Sequence, residues 1–276
     1  IRTVMGIRGE PSTPDDPAQG LVWKAITTQI NEPGSESEWI SVADTPRDSL
    51  ATFPWSLSGG GANLVMEKVE GAPHRLRQFI LGDIGFASFP GQDEVFIAPP
   101  HWFRRRRIPS TLHAPLISGE AVRDWDNHCV DMALAPYDGN HEPVRLDIAT
   151  SWGRHLWHLR RTLGSTTGFG GQTRQETQEP WWTWYRWVPQ RYRTPLSITF
   201  AFVATHNHFV LDRGGKVFKQ SAPVIKLPEG ATEDEHLRLL GVLNSSTACF
   251  WLKQVSHNKG AQGVNEGFKS QEWERF

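Results

Sequence analysis

Residues 181–227 read WWTWYRWVPQRYRTPLSITFAFVATHNHFVLDRGGKVFKQSAPVIKL. Tryptophan, tyrosine and arginine crowd its start. ITFAFVATHNHFVLD (198–212) has the composition of one or two strands, and RGGKVFKQSAPVIKLP (213–228) that of a turn and a further strand. Aromatic rings interleaved with guanidinium groups could stack on bases and neutralise phosphates. The same residues could form the core and rim of an ordinary sheet.

The rest of the chain bears on that choice. Its 276 residues suffice for one large domain or two ordinary ones, and 13 Trp with 14 Phe supply a core although only 38% of residues are apolar. Two cysteines, Cys129 and Cys249, make neither a disulfide framework nor a four-cysteine zinc site, which fits a reducing cytoplasm. No apolar run reaches the roughly 20 residues of a membrane span. Net charge is −1, yet residues 145–227 hold 12 Lys/Arg against 4 Asp/Glu, a local +8, leaving 17 basic and 26 acidic residues elsewhere. Such asymmetry points to an anionic partner, or to a solvated basic surface. The chain opens without Met and stops at QEWERF, and it is read as a piece of a longer protein.

In chain order, strands are expected at 3–7 and 21–30. The glycines 59–61 in WSLSGGGANLV read as a turn entering a helix near Asn63, because no Lys-Ser/Thr follows to complete a P-loop. Residues 72–80 suggest a short amphipathic helix, 84–100 a hairpin turning at 90–93, and 104–107 a four-arginine run that could touch phosphate or form an exposed loop. A helix start is expected at 116–125, and a strand ending in a turn at 131–139. At Ser151 a capped helix begins, with Trp152, Leu156, Leu159 and Leu163 on one face and Arg154, Arg160 and Arg161 elsewhere. The loop STTGFGGQTR (165–174) carries Gln172 and Arg174. Thr232 and Glu235 form a capping box before a Leu237, Leu240, Leu243 stripe, and a second helix follows at 247–255.

Catalytic signatures are scarce. His206-Asn207-His208 is contiguous, unlike the dispersed nuclease motif of those letters. His206 and His208 share a strand face as two metal ligands might be arranged, with Asp212 the nearest third. Ala98-Pro99-Pro100-His101 has the spacing of the base-holding loop of amino methyltransferases, but Ala98 lacks the polar acceptor and His101 replaces the aromatic residue. No S-adenosylmethionine turn, nucleophile elbow or zinc motif is present. The expectation is that this piece has no catalytic residue, no metal and no cofactor of its own.

Seven motifs in order carry a resemblance: IGFASFPGQDEVFI, SGEAVRDW, LAPYDG, the basic helix, WTWYRW, HFVLDRGG and LLGVLNSSTACFWLK. Together they resemble the target-recognition region of type IIG adenine-specific DNA methyltransferases. The wording of VATHNHFVLDRGGKVFKQSAPVIKLP and STACFWLKQVSHNKGAQG is similar to the PglX type of BREX and phage-growth-limitation defence systems. The resemblance covers residue 79 onward, with WSLSGGGANL before it. It implies a mixed α/β (α+β) fold of small twisted sheets or a partial barrel with flanking helices, reading a short site in double-stranded DNA. Residues 1–70 would be the last strands of a methyltransferase domain and a connector, and 71–276 the recognition domain. S-adenosylmethionine and Asn-Pro-Pro motifs would belong to the upstream methyltransferase domain, which becomes an expected partner. On this reading Arg160, Arg161, Arg186, Arg191, Arg213, Lys216, Lys219 and Lys259 neutralise phosphates. Gln172, Arg174, His206, Asn207 and Asn258 are candidate base readers, since Arg suits guanine and Asn or Gln suits adenine. Trp181, Trp182 and Tyr185 divide between core and DNA.

Two rival readings stay open. One is a metal-dependent nuclease built on His206, His208 and Asp212. The other is a protein-interaction module whose tryptophans meet another defence-system protein or a phage inhibitor. Neither involves a membrane.

Overall fold

The computed structural model describes residues 1–51, 55, 58–123, 125–167, 171–258, 266–267 and 270–276. They group into two units: Ile1–Arg75 with Ser246–His257 and Phe276, and Leu76–Ser245 with Asn258–Arg275.

In the first unit β1 (Arg2–Gly6), expected from sequence, pairs antiparallel with β2 (Ile40–Asp44), Val4 opposite Val42. The strand expected at 21–30 is instead a helix, α1 (Leu21–Gln29). Val22, Ala25, Ile26 and Gln29 are its half-buried positions, the spacing of one helical face, which the β-branched composition disguised. The N–H of Val22 donates to Glu10 Oε1 at 2.7 Å and so satisfies one of the open first-turn amides. Gly61, at φ 79°, leads into α2 (Ala62–Glu70). At Gly59 a Cβ would lie 2.6 Å from Ser41 Oγ and 2.8 Å from the Met5 carbonyl. The chain itself fills this turn, so it does not fit a phosphate or cofactor cradle. The helix Ser246–Val255 also belongs here and buries Ala248, Trp251, Leu252 and Val255.

The second unit carries the +8 segment. The helix expected at 72–80 is a single tight turn, Leu76–Gln78. The expected 84–100 hairpin does not form. β3 (Ser88–Phe89) pairs with Arg186–Trp187, and Asp93–Phe96 is a helical turn, α3, before β4 (Ile97–Ala98). That turn buries the adjacent residues Val95 and Phe96 together, which a strand would send to opposite faces. Residues 104–106 are likewise helical: α4 (Pro100–Arg106) starts on Pro100, where a missing N–H costs nothing, and Arg107 leaves it at φ 52°. β5 (His113–Ile117) occupies the start of the helix expected at 116–125. The two-residue strands β6 (Val122–Arg123) and β7 (Asp126–Asn127) follow, then β8 (Met132–Leu134).

α5 (Ser151–His158) is capped one residue early, by Thr150, whose Oγ1 accepts from Gly153 N at 3.2 Å. The expected single helix breaks at Leu159 (φ −100°, ψ 5°) and resumes as α6 (Arg160–Gly164), while Trp152, Leu156 and Leu163 stay buried as read. α7 (Arg174–Thr177) follows, with Thr173 and Glu176 forming a capping box, then β9 (Arg186–Trp187). The 198–212 run is two strands, β10 (Ser197–Phe200) and β11 (Phe209–Asp212), paired antiparallel. β12 (Val217–Phe218) and β13 (Val224–Ile225) complete the run. α8 (Glu233–Leu243) opens on the expected Thr232–Glu235 box, although its inward face is His236, Leu240 and Leu243, with Leu237 exposed.

These strands build small sheets, β11-β10-β13 and β12-β5-β8-β4, and no closed barrel forms among the described residues. β12 lies parallel to β5; β4 and β5 each run antiparallel to β8. The fold is the mixed α/β arrangement expected. The aromatic knot is largely core. Trp184 is 2% exposed, its backbone N–H donates to the Tyr137 hydroxyl at 3.0 Å, and its indole N–H donates to the Leu134 carbonyl at 2.8 Å. Truncating such a buried indole costs about 3–5 kcal/mol.

Candidate nucleic-acid interface

A cation already paired with a carboxylate gains less from a phosphate than an unpaired one. Around the strand-turn-strand of β11 and β12 most cations are paired. Lys216 Nζ lies 2.5 Å from Asp212 Oδ1, and the other Asp212 oxygen accepts Gly214 N–H at 2.9 Å. Asp212 is buried, so withdrawing Lys216 would strand a carboxylate in low dielectric. Lys219 Nζ lies 2.5 Å from Asp93 Oδ2, and Arg213 is forked on Glu233 at 3.0 and 2.5 Å. That contact raises the Arg213 pKa and lowers that of Glu233. Arg191 is held by the Phe86 and Asp83 carbonyls and by Asp83 Oδ1 at 3.0 Å. These four residues, expected as phosphate ligands, each have a carboxylate partner within the fold.

Two candidate base readers are also structural. Arg174, expected at a mobile loop tip, is 5% exposed. Its guanidinium donates to the Pro180 carbonyl at 2.9 Å, to Thr183 Oγ1 at 2.6 Å and to the Trp184 carbonyl, and burial pulls its pKa down. Asn207 Nδ2 donates to the Leu243 and Ser245 carbonyls at 2.6 and 3.2 Å, closing the end of α8. Trp182 packs on the core and donates to the Val144 carbonyl at 3.0 Å, while Tyr185 meets Phe89 edge to face at 5.1 Å. Gln172, Arg186 and His206 are exposed, with His206 Nδ1 and Thr205 Oγ1 3.1 Å apart. Lys259 and the side chain of Asn258 lie outside the described residues. Among the described residues no three His, Cys, Asp or Glu side chains could hold a metal ion.

Unspent charge gathers instead on α4, α5 and α6. Arg104, Arg105, Arg106, Arg107, Arg154, Arg160 and Arg161 are all exposed. Among the described residues none of them has a carboxylate within ion-pair distance. Packing brings them to one region. Trp102 of α4 meets His155 of α5 edge to face at 4.9 Å, and Ser151 Oγ reaches the Arg107 carbonyl at 3.4 Å. Burial, then the nearby Arg106 and His158, pulls the His155 pKa down against the hydrogen bond to the Val95 carbonyl at 3.1 Å. Two rings carry guanidinium groups on their faces: Arg106 lies 4.2 Å from the Trp102 centroid and Arg160 4.6 Å from that of Trp157, itself 42% exposed. Of these, Arg160 and Arg161 were expected as phosphate ligands and Arg154 as free to meet solvent or a ligand. Arg104 to Arg107 were expected either to touch phosphate or to form an exposed loop, and the first three are helical instead. Pro100 at a helix start, with Trp102 and Arg106 one turn apart, was the available signal.

No family model matches the chain. Among solved structures it is similar to the type IIL restriction-modification enzyme MmeI in complex with DNA, at 12% identity and a TM-score of 0.49, over 72% of this chain and 25% of that one. Among curated proteins it is 43% identical over 267 residues to the adenine-specific methyltransferase PglX of Streptomyces coelicolor. That match covers 96% of this chain and 22% of the relative, so the chain spans about a fifth of the relative's length. The likeness to PglX-type adenine-specific methyltransferases carried by the motif order is thereby shown, for one segment of such a protein.

Proposed function

We propose that the chain is the DNA target-recognition segment of an adenine-specific methyltransferase of a phage-defence system, and that it seats duplex phosphates on the arginines of α4, α5 and α6. The observation that carries this reading is the cluster of seven exposed arginines without carboxylate partners among the described residues, in a chain of net charge −1. A cluster of this kind costs self-repulsion in isolation, and phosphate binding with counterion release relieves it. The similarity to PglX supports the methyltransferase context. S-adenosylmethionine and the transfer chemistry are assigned to an upstream methyltransferase domain, which the similarity to an adenine-specific methyltransferase supports.

The test is duplex binding measured across a salt series. Replacing Arg104, Arg105 and Arg106 together with alanine should weaken binding to every sequence and lower the salt slope by about three units, at roughly 0.9 per phosphate contact. An unchanged slope with an unchanged circular dichroism spectrum overturns the reading. Salt-insensitive capture of a protein partner by Trp157 and its neighbours would favour the interaction-module alternative instead.

A further inference from the structure

Tyr137, Trp187 and Tyr192 lie face to face. The first two rings are 4.0 Å apart and 6° from parallel, the last two 4.2 Å apart and 9° from parallel. All three line one cavity of about 430 Å³ in the second unit. Because a tyrosine covers each face of Trp187, the indole presents its edge to this space. Ring edges carry the positive end of the aromatic quadrupole. The indole N–H is spent on the His141 carbonyl at 3.1 Å.

The remaining lining carries both signs. Asp138 and Asp212 both line the cavity; both Asp212 oxygens are engaged, and one of the two Asp138 oxygens. Asp138 Oδ1 accepts the N–H groups of Asn140 and Glu142, each at 2.9 Å, and Asp212 is divided between Lys216 and Gly214. Lys216 and Arg191 are balanced by Asp212 and Asp83. Arg193 also lines the cavity, is exposed, and has no carboxylate within ion-pair distance among the described residues. Ser110, Thr111 and Thr194 belong to the same lining. The Arg193 guanidinium suits a phosphate, and the second Asp138 oxygen suits an amino or hydroxyl donor of the same ligand. The volume exceeds what a bare phosphate fills and lies within the roughly 300–1,000 Å³ of small-ligand sites.

We infer that this cavity binds one phosphate-bearing nucleotide unit, its phosphate on Arg193 and its ring system along the edges of the Tyr137–Trp187–Tyr192 stack. The nucleotide could come from a strand of bound DNA, which rests on the DNA reading above, or from a free mononucleotide, which does not.

Calorimetric titration of the whole chain with deoxyadenosine monophosphate, deoxyadenosine and inorganic phosphate tests the assignment. The monophosphate should bind, with the nucleoside and the phosphate each at least about tenfold weaker, as befits loss of a charge-assisted contact. Arg193→Ala should weaken the monophosphate about tenfold, and Arg193→Lys should recover part of the loss. Competition by a short duplex would identify a DNA strand as the source, and its absence a free nucleotide; the assignment stands in both cases. The variant lacking Arg104, Arg105 and Arg106 should keep monophosphate binding even if it loses duplex binding, which separates this site from the helical arginines. No heat with the monophosphate, or equal affinity after Arg193→Ala, overturns the proposal.

Discussion

Lys216 and Asp212, four residues apart across the turn between β11 and β12, form an ion pair in which the carboxylate is 1% exposed and the ammonium partly so. The value of this contact to the protein is unequal between its two partners. Removing the lysine alone leaves a buried charge, a loss of about 3–5 kcal/mol, whereas removing both charges together can be close to neutral. Lys216→Met should therefore lower the unfolding midpoint in urea far more than the double change Lys216→Met with Asp212→Asn. Equal destabilisation by the two would show the pair to be ordinary surface electrostatics.

Gly153 supplies a second expectation, because helix propensity and packing disagree there. Alanine is better than glycine inside a helix by about 1 kcal/mol. A Cβ at Gly153, however, would lie 1.9 Å from the Asp147 carbonyl oxygen and 2.6 Å from its carbon. Both are backbone atoms that cannot swing aside, and Thr150 Oγ1, which caps the helix, is 3.0 Å away. Gly153→Ala should destabilise by about 2 kcal/mol or more through overpacking and loss of the cap. Thermal unfolding measures it, and a stabilised variant would refute the packing account.

The third expectation concerns alkaline pH. Lys226 is buried, its ammonium donating to the Thr194 and Leu196 carbonyls at 2.6 Å each and to Ser197 Oγ at 2.9 Å, and burial lowers its pKa to about 8. The unfolded chain holds this proton more tightly, so stability from this group rises as pH increases from about 8 towards the ordinary lysine value. Tyr137 and Tyr192 act oppositely: burial raises both pKa values, so their contribution is lost as pH climbs above about 10. Stability measured by urea should rise between about pH 8 and 10 and then fall. In Lys226→Met the rising limb should be absent.

Much of the local architecture was legible where a short window decides it. The Thr232–Glu235 box, the buried Trp152, Leu156 and Leu163 positions and the two strands on either side of residues 201–208 all follow from spacing and caps. Contacts at a distance were not legible. Ser88 pairs with Trp187 across most of the second unit, so the 84–100 segment resembled a self-contained hairpin although its strand partner lay elsewhere. Charge behaved similarly. The +8 bias was readable, but the four carboxylates at Asp83, Asp93, Asp212 and Glu233 decide which cations remain available, and only Asp212 is near its partner in sequence. Arg174 carries the same lesson in reverse, because three acceptors supplied by residues 180–184 turn a loop arginine into core.

The chain leaves the second unit after Ser245, contributes Ser246–His257 to the first, and returns at Asn258. On its return it tethers the second unit to its own beginning: Glu274 Oε1 accepts the backbone N–H of Ile84 at 3.0 Å, and Trp273 packs edge to face on Phe209 at 4.9 Å. Moving the second unit into another chain is therefore not a matter of cutting once on each side of a contiguous cassette. A transplant ending at residue 245 would carry the arginines and leave behind the clasp that finishes their module. A workable chimera runs from Leu76 through Arg275 and accepts the donor's Ser246–Val255 helix as a passenger.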